Sequence, residues 1–255
     1  MCEDCGCGIT DKDIQHDHKH DHLHSHEHKS SGVHHHENKI SLSILTNIHE
    51  KNNQKAEEIR QLLSNKKILC VNLMSAPGSG KTSLLEETAK ILGKKMAVIE
   101  GDLETNKDAE RIKKKGVQAY QITTGQTCHL DAAMVAHGIS HINTENLEYL
   151  FVENVGNLVC PASYDVGAHI NIVLLSVPEG DDKAAKYPVM FRKSDRVFIT
   201  KVDLLPHFDF NIVNVKKDIE NINPKADVKE FSVKDDKNIK EFIEYLLSVK
   251  DKLYL

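Results

Sequence analysis

An apolar run, Ile68-Leu69-Cys70-Val71-Asn72-Leu73-Met74, leads directly into Ser75-Ala76-Pro77-Gly78-Ser79-Gly80-Lys81-Thr82, and a helical stretch follows. A buried strand, a glycine-rich turn and a helix, in that order, are the context a phosphate-cradling P-loop requires. Gly78 and Gly80 let backbone N–H groups curl around phosphate oxygens, and the helix N-terminus adds its partial positive charge. Lys81 is expected to reach the β- and γ-phosphates and Thr82 to hold Mg²⁺. Ser79 and Ser83 are placed with them as nucleotide-binding residues. Ser75 stands where the general pattern has glycine.

The chain beyond this motif alternates short apolar runs with helical stretches. Strands are expected at Ile68–Met74, Met96–Glu100, Val117–Gln121, Tyr149–Asn154, Ile170–Ser176, Val197–Thr200 and Val228–Phe231. Helices are expected at Lys81–Leu92, Asp108–Lys115, Leu130–His137, Asn211–Asn221 and Lys237–Lys250. Such alternation predicts an α/β fold, a P-loop NTPase with a mostly parallel sheet flanked by helices. Ligands on such sheets bind beyond the carboxyl ends of the strands, which directs attention to the residues just after each one.

Two strand ends carry carboxylates. Glu100-Gly101-Asp102 follows one, and Glu153-Asn154-Val155-Gly156-Asn157 follows another. Asp102 or Glu153 is expected to support Mg²⁺ or orient the attacking water, and the sequence does not choose between them. Glu153-Asn154-Val155-Gly156 resembles the D-x-x-G γ-phosphate sensor of GTPases. Thr200-Lys201-Val202-Asp203 resembles the N-K-x-D guanine motif. In that motif the Asp carboxylate accepts from the guanine N1–H and amino group, which adenine does not offer, so Asp203 with the Lys201 stem predicts GTP over ATP. Ser232-Val233-Lys234 follows the last strand, where GTPases place a final guanine-contacting loop.

Of 16 histidines in 255 residues, ten lie between His16 and His36, in a tract whose apolar residues are Leu23 and Val33. Such a segment cannot bury enough surface to offset its ordering entropy, so residues 1–38 read as a disordered metal-binding tail. Cys2, Cys5 and Cys7 place three thiols at its start. Reduced thiols beside a histidine tract suit a metal, without choosing zinc, copper or nickel. Residues 39–66 read as an amphipathic helix with Ser41 as its cap. Residues 67–255 form the nucleotide domain.

A second donor set, Cys128-His129 and Cys160, lies on two loops at the same sheet edge. Three ligands leave a coordination place open for water or a second subunit. Cys160 follows the sensor-like segment, so a loop that answers to nucleotide state would carry a metal ligand with it. Cys70 reads as inert core. His137, His141 and His169 read as structural or exposed, without ligand-like spacing to a partner, and His49 and His207 carry no assignment. A net charge of −5 gives no footprint for nucleic acid, no apolar run reaches membrane-spanning length, and the first residues, with neither a basic n-region nor an apolar h-region, predict no secretory signal. A cytoplasmic location is expected.

Together these residues resemble the hydrogenase nickel-insertion GTPases, the HypB family, over nearly the whole chain. The start Met1-Cys2-x-x-Cys5-Gly6-Cys7-Gly8 is similar to that family's nickel motif, and the loop from Ser75-Ala76-Pro77 to its P-loop. Cys128-His129 and Cys160, with Glu153–Asn157 between, match its domain metal site in order and spacing. Pro178-Glu179-Gly180-Asp181-Asp182-Lys183 and Lys186-Tyr187-Pro188 also look typical of it. The resemblance implies Ni²⁺ at Cys2, Cys5 and Cys7, and Ni²⁺ or Zn²⁺ at Cys128, His129 and Cys160. It further implies a GTP-dependent homodimer, a small zinc-containing nickel metallochaperone as partner, and the large subunit of a [NiFe]-hydrogenase as client. Thr200 and Ser232-Val233-Lys234-Asp235-Asp236 depart from the family pattern. Two other readings are a urease nickel-insertion GTPase and a nickel storage protein with a vestigial nucleotide domain. The N-terminal cysteines weigh against the first, and the intact Gly80-Lys81-Thr82 against the second.

Overall fold

The computed structural model describes residues 34–103 and 107–255, with side chains from residue 46 onward. Seven strands, β1 (Leu69–Ser75), β2 (Met96–Asp102), β3 (Gln118–Thr123), β4 (Tyr149–Glu153), β5 (Ile170–Ser176), β6 (Arg196–Thr200) and β7 (Asp227–Phe231), form one sheet. Their order is β3-β2-β4-β1-β5-β6-β7 and every pairing is parallel. Each expected strand is present, shifted by at most two residues at an end. All seven residues of β1 are buried, as a central strand covered on both faces should be.

Side-chain alternation along β1 divides the core. Leu69, Val71 and Leu73 pack with Leu84 and Leu85 of α2 (Lys81–Leu92), Ala109 and Ile112 of α3 (Lys107–Lys113), and Ile239 and Phe242 of α8 (Asp236–Tyr254). Ile68 and Cys70 face the other way, onto Val135 and Ile139 of α4 (Ala132–Ser140) and onto Ala56, Ile59 and Leu63 of α1 (His34–Asn65). On that same face Val173, Val197 and Ile199 meet Met190 and Phe191 of α6 (Pro188–Arg192) and Val215 and Ile219 of α7 (Ile212–Ile222). Burial of the Cys70 thiol pushes it up to about 12, consistent with inert core.

The helix starts follow capping chemistry. Asp131 accepts from Met134 N–H at 2.7 Å, Asn211 from Asn214 N–H at 3.0 Å and Asp235 from Lys237 N–H at 2.9 Å, each filling an otherwise orphaned donor. α1 begins at His34, so Ser41 lies inside that helix and does not cap it. Two short helices escaped the sequence pattern, α5 (Lys183–Lys186) and α6, because four or five residues carry too little periodicity to read.

The contact region divides after Lys51. From Asn52 onward α1 belongs with the nucleotide domain, and it ties down two loops at once. Asn52 Oδ1 accepts the Ala132 N–H at 2.9 Å while its amide donates to the Asp165 carbonyl at 2.8 Å. Arg60 grips both Asp165 carboxylate oxygens at 2.8 and 3.0 Å. Fully buried Ile59 and Leu63 add about 1.5–3 kcal/mol each. Among the described residues no helix is long and apolar enough to cross a membrane.

Candidate functional site

The turn after β1 has the backbone of a phosphate loop. Gly78 and Gly80 hold φ of 76° and 102°, values that a Cβ would oppose. Ser75 is not an idle substitute for glycine: its hydroxyl accepts the Lys81 ammonium at 2.8 Å and donates to the Ala76 carbonyl at 2.6 Å. Ser79 Oγ lies 2.8 Å from the Ala76 carbonyl and 2.6 Å from Glu179 Oε1, which also takes the Ser176 N–H and hydroxyl at 3.0 and 2.7 Å. Glu179 therefore pins the loop to the end of β5, a role its place in the Pro178–Lys183 stretch did not reveal.

A cleft of about 410 Å³ opens beside this loop, walled by Gly78, Lys81, Thr82 and Ser83 on one side and by Glu100, Asp102, Asp108, Arg111 and Glu153 on the other. Glu100 and Glu153 stand opposite each other on β2 and β4. Thr82 Oγ1 donates to Glu153 Oε1 at 2.7 Å. Glu100 Oε2 and Glu153 Oε2 are buried without a hydrogen-bond partner. Burial, with each other carboxylate nearby, raises Glu100 to about 8; burial raises Glu153 to about 7 against the pull of Lys81 and Thr82. Burial also holds the Lys81 ammonium below its usual range. Two dry, underpartnered carboxylates beside a threonine hydroxyl are a donor set that fits Mg²⁺. Asp102 lines the same wall, with Oδ1 accepting the Leu103 N–H at 2.7 Å. Glu100, not singled out for this role from sequence, faces the cleft because strand alternation turns it there. Asp108 and Arg111 arrive from α3, which has no motif of its own.

On the other flank of the loop, Thr200 Oγ1 donates to the Ser79 carbonyl at 2.8 Å and the Lys201 ammonium to the Gly78 carbonyl at 2.7 Å. Lys201 holds φ of 59°, left-handed backbone that aims its side chain back over the loop. The threonine that departs from the N-K-x-D pattern thus keeps a tie to the phosphate loop. Asp203 accepts from Ser232 Oγ at 2.8 Å and Lys234 Nζ at 2.6 Å, and Lys234 first, then Ser232, hold its carboxyl below the ordinary range. Val233 packs against the core. The structure gathers Lys201, Asp203 and Ser232, and adds Lys234 as the charge partner of Asp203.

The soft donors converge. Ligating atoms of Cys128, His129 and Cys160 all lie within 4.8 Å of one another. His129 is buried and its ring stacks on Tyr164, centroids 3.9 Å apart and 13° from parallel. Tyr164 was invisible to spacing arguments, since it belongs to the loop after Cys160. Cys160 starts a short 3₁₀ turn and is buried, while Cys128 is half-buried. Two thiols and one imidazole make a borderline-soft set for a divalent d-block cation. Cys2, Cys5 and Cys7 fall outside the described residues, as does the histidine tract through residue 33.

The glycine-rich loop and the loops of the soft donors touch. Gly156 sits so close to the phosphate loop that a Cβ there would stand 3.0 Å from the Cα and N of Pro77. Asn154 Oδ1 accepts the N–H of Leu130, next to His129, at 3.1 Å.

Comparison with known proteins bears on this arrangement. The model of the CobW/HypB/UreG nucleotide-binding domain matches residues 69–230. The Helicobacter pylori (strain J99) hydrogenase/urease maturation factor HypB is 46% identical over 220 residues, 85% of this chain and 91% of that protein. Its Helicobacter hepaticus counterpart is 49% identical over 198 residues, 76% and 81% of the two chains. A crystal structure of HypB from Helicobacter pylori in complex with nickel superposes with a TM-score of 0.78 at 47% identity, over 80% of this chain and 97% of that one.

Proposed function

The chain belongs to the CobW/HypB/UreG family of P-loop GTPases, and from that premise we propose that it is a GTP-hydrolysing nickel metallochaperone acting in hydrogenase maturation. GTP is bound through Gly78, Ser79, Gly80, Lys81, Thr82 and Ser83 at the phosphates and through Lys201, Asp203, Ser232 and Val233 at the base. Thr82, with Glu153 or Asp102 and with Glu100 facing Glu153 across the cleft, would hold Mg²⁺, which would supply charge neutralisation at the phosphates. Lys81 stabilises the γ-phosphoryl charge that develops during hydrolysis, and Glu153 or Asp102 orients the attacking water.

The cargo is Ni²⁺, or Zn²⁺ in its place, on Cys128, His129 and Cys160, with one coordination place open to a second subunit. GTP favours a homodimer and hydrolysis loosens the cluster, freeing the ion. Nickel arrives by way of a small zinc-containing metallochaperone and leaves for the large subunit of a [NiFe]-hydrogenase, in the cytoplasm. Cys2, Cys5 and Cys7 take Ni²⁺, and the histidine tract stores further ions. The names of the Helicobacter relatives join hydrogenase with urease, so urease is the second client this reading allows.

The observation that carries the proposal is the single segment Glu153–Cys160. It begins at the Thr82 partner, passes Pro77 at Gly156 and ends at a metal ligand. The test is a Ni²⁺ titration of the full chain with Cys2, Cys5 and Cys7 each replaced by Ala, read from the thiolate-to-metal charge-transfer band. It is run with GDP·Mg²⁺ and again with a non-hydrolysable GTP analogue. Different affinities are expected; equal affinities would overturn gating of this cluster by nucleotide.

A further inference from the structure

α4 carries, at the end away from Cys128 and His129, a second group of nitrogen donors. His137 lies in its last turn and His141 caps it, so the two are four residues apart and share one face. Four residues apart on a helix is a ligand-like spacing, contrary to the expectation that neither histidine has a spaced partner. Both residues are exposed. Their ring centres are 4.8 Å apart, at 76° to one another. Two imidazoles bound cis to one ion, each nitrogen about 2.0–2.1 Å from it, bring their ring centres to roughly 4.5–5.2 Å. The pair already stands at that separation before any ion arrives.

Tyr120, on the edge strand β3, holds both rings. Its hydroxyl lies 3.2 Å from His137 Nε2, and its ring stacks on that of His141 at 4.3 Å, within 1° of parallel. With Nε2–H of His137 given to the phenol oxygen, Nδ1 carries the free lone pair, the arrangement by which an outer oxygen fixes the tautomer of a metal-binding histidine. The phenol face under His141 favours an imidazole that has acquired positive charge from a bound cation.

We infer that His137 and His141, braced by Tyr120, form an exposed two-imidazole site for a divalent d-block cation such as Ni²⁺ or Zn²⁺. Two protein ligands leave the remaining positions to water or an incoming donor, so the site captures and releases ions without sequestering them. Along the helix axis it lies roughly 10–15 Å from Asp131, the residue that opens α4 beyond the Cys128–His129 loop. This site stands whatever the cargo of that cluster.

The test is diethyl pyrocarbonate modification of the full chain at buffered free Ni²⁺, followed by mass spectrometry of the peptide holding His137 and His141. Exposed His207 serves as the single-imidazole reference. Both histidines should be protected with a common midpoint, at least about tenfold below that of His207, because the second ligand binds intramolecularly. His137→Ala should raise the His141 midpoint to that of His207, and Cys128→Ala should leave the pair unchanged. GTP hydrolysis by His137→Ala at the wild-type rate shows that the fold is intact. Protection no better than at His207, or His141 protection that survives His137→Ala, would overturn the site.

Discussion

Asn154 Oδ1 accepts the backbone N–H of Leu130 at 3.1 Å, and the same oxygen takes the Val155 N–H at 3.0 Å. Asn154 follows Glu153, the Thr82 partner, and Leu130 follows His129. One buried amide thus joins the loop that meets the phosphate loop to the loop that carries two of the three converging donors, Cys128 and His129. Its own nitrogen donates to Asn72 Oδ1 at 3.3 Å, and Asn72 to Asn171 Oδ1 at 2.9 Å, so the amide is anchored across β1 to β5. Asn154→Ala leaves two buried N–H groups unpaired, at about 1–3 kcal/mol each. Urea unfolding should show a loss of about 2–6 kcal/mol. Ni²⁺ affinity at Cys128, His129 and Cys160 should fall roughly 10–100-fold, as for other outer-shell supports. Unaltered affinity in the charge-transfer titration would show that Leu130 holds its place without Asn154.

Lys81→Ala removes the ammonium that Ser75 holds at the head of the phosphate loop. Loss of a preorganised charge at a developing oxyanion costs about 10²–10³ in rate. GTP turnover should drop by at least that factor while metal still loads on Cys128, His129 and Cys160. Phosphate release at the wild-type rate would remove Lys81 from the mechanism.

Asp203→Ala deletes the carboxylate that Lys234 and Ser232 orient. Two charge-assisted hydrogen bonds to guanine, as proposed, at about 1.5–3 kcal/mol each make the expected loss in GTP affinity about 100-fold or more. ATP affinity should stay nearly constant, so preference for GTP collapses. A competition assay with both nucleotides reads this directly, and parallel loss for the two would mean that Asp203 shapes the pocket without reading the base.

What the sequence made legible was local. The strand–turn–helix around Gly78–Thr82 is contiguous, so its chemistry follows from spacing, and buried parallel strands announce themselves as apolar runs. Cys128, His129 and Cys160 were legible only as donors on two loops at one edge; convergence within 4.8 Å is a tertiary fact. Glu100, Glu179 and Tyr164 were not legible in their roles. Each acts through a partner 35 to 100 residues away, Glu153, Ser79 and His129 respectively, and nothing in the neighbouring residues encodes that distance. Thr200 misled by consensus: its hydroxyl reaches the Ser79 carbonyl, a contact that depends on β6 lying beside the loop.

His169 gives the fold a pH dependence whose sign is fixed by geometry. Its Nδ1 accepts the Cys70 N–H at 2.9 Å, and Nε2 lies 3.0 Å from Ser64 Oγ, so the folded ring is neutral. Burial first, and the Arg60 charge second, lower its pKa from the ordinary 6.5. The unfolded chain then binds a proton that the native state refuses, so this contribution is whole above about pH 6.5 and is lost as pH falls toward the lowered value. The slope is at most about 1.4 kcal/mol per pH unit. His169→Gln, which keeps an acceptor for Cys70, should flatten the pH dependence of urea stability as pH falls below about 6.5. An unchanged slope would assign that dependence to other groups.

Gly156→Ala isolates the contact between the two loops without touching a ligand of either. The added Cβ would stand 3.0 Å from backbone atoms of Pro77 and from its Cγ, tighter than ordinary van der Waals contact. Pro77 is fixed by its ring and by the phosphate loop, so the yielding partner is the segment between Glu153 and Cys160. Displacing that segment by a few tenths of an ångström separates Thr82 and Glu153 at one end from Cys160 at the other. Nucleotide and metal should each still bind, within about fivefold of the parent, since every ligand remains and about 1 kcal/mol of strain is at stake. The difference in Ni²⁺ affinity between the GDP and GTP-analogue states should shrink toward zero. Were that difference fully retained, coupling would run through Asn154 and Leu130 alone, and the Asn154→Ala variant would then be the one to abolish it.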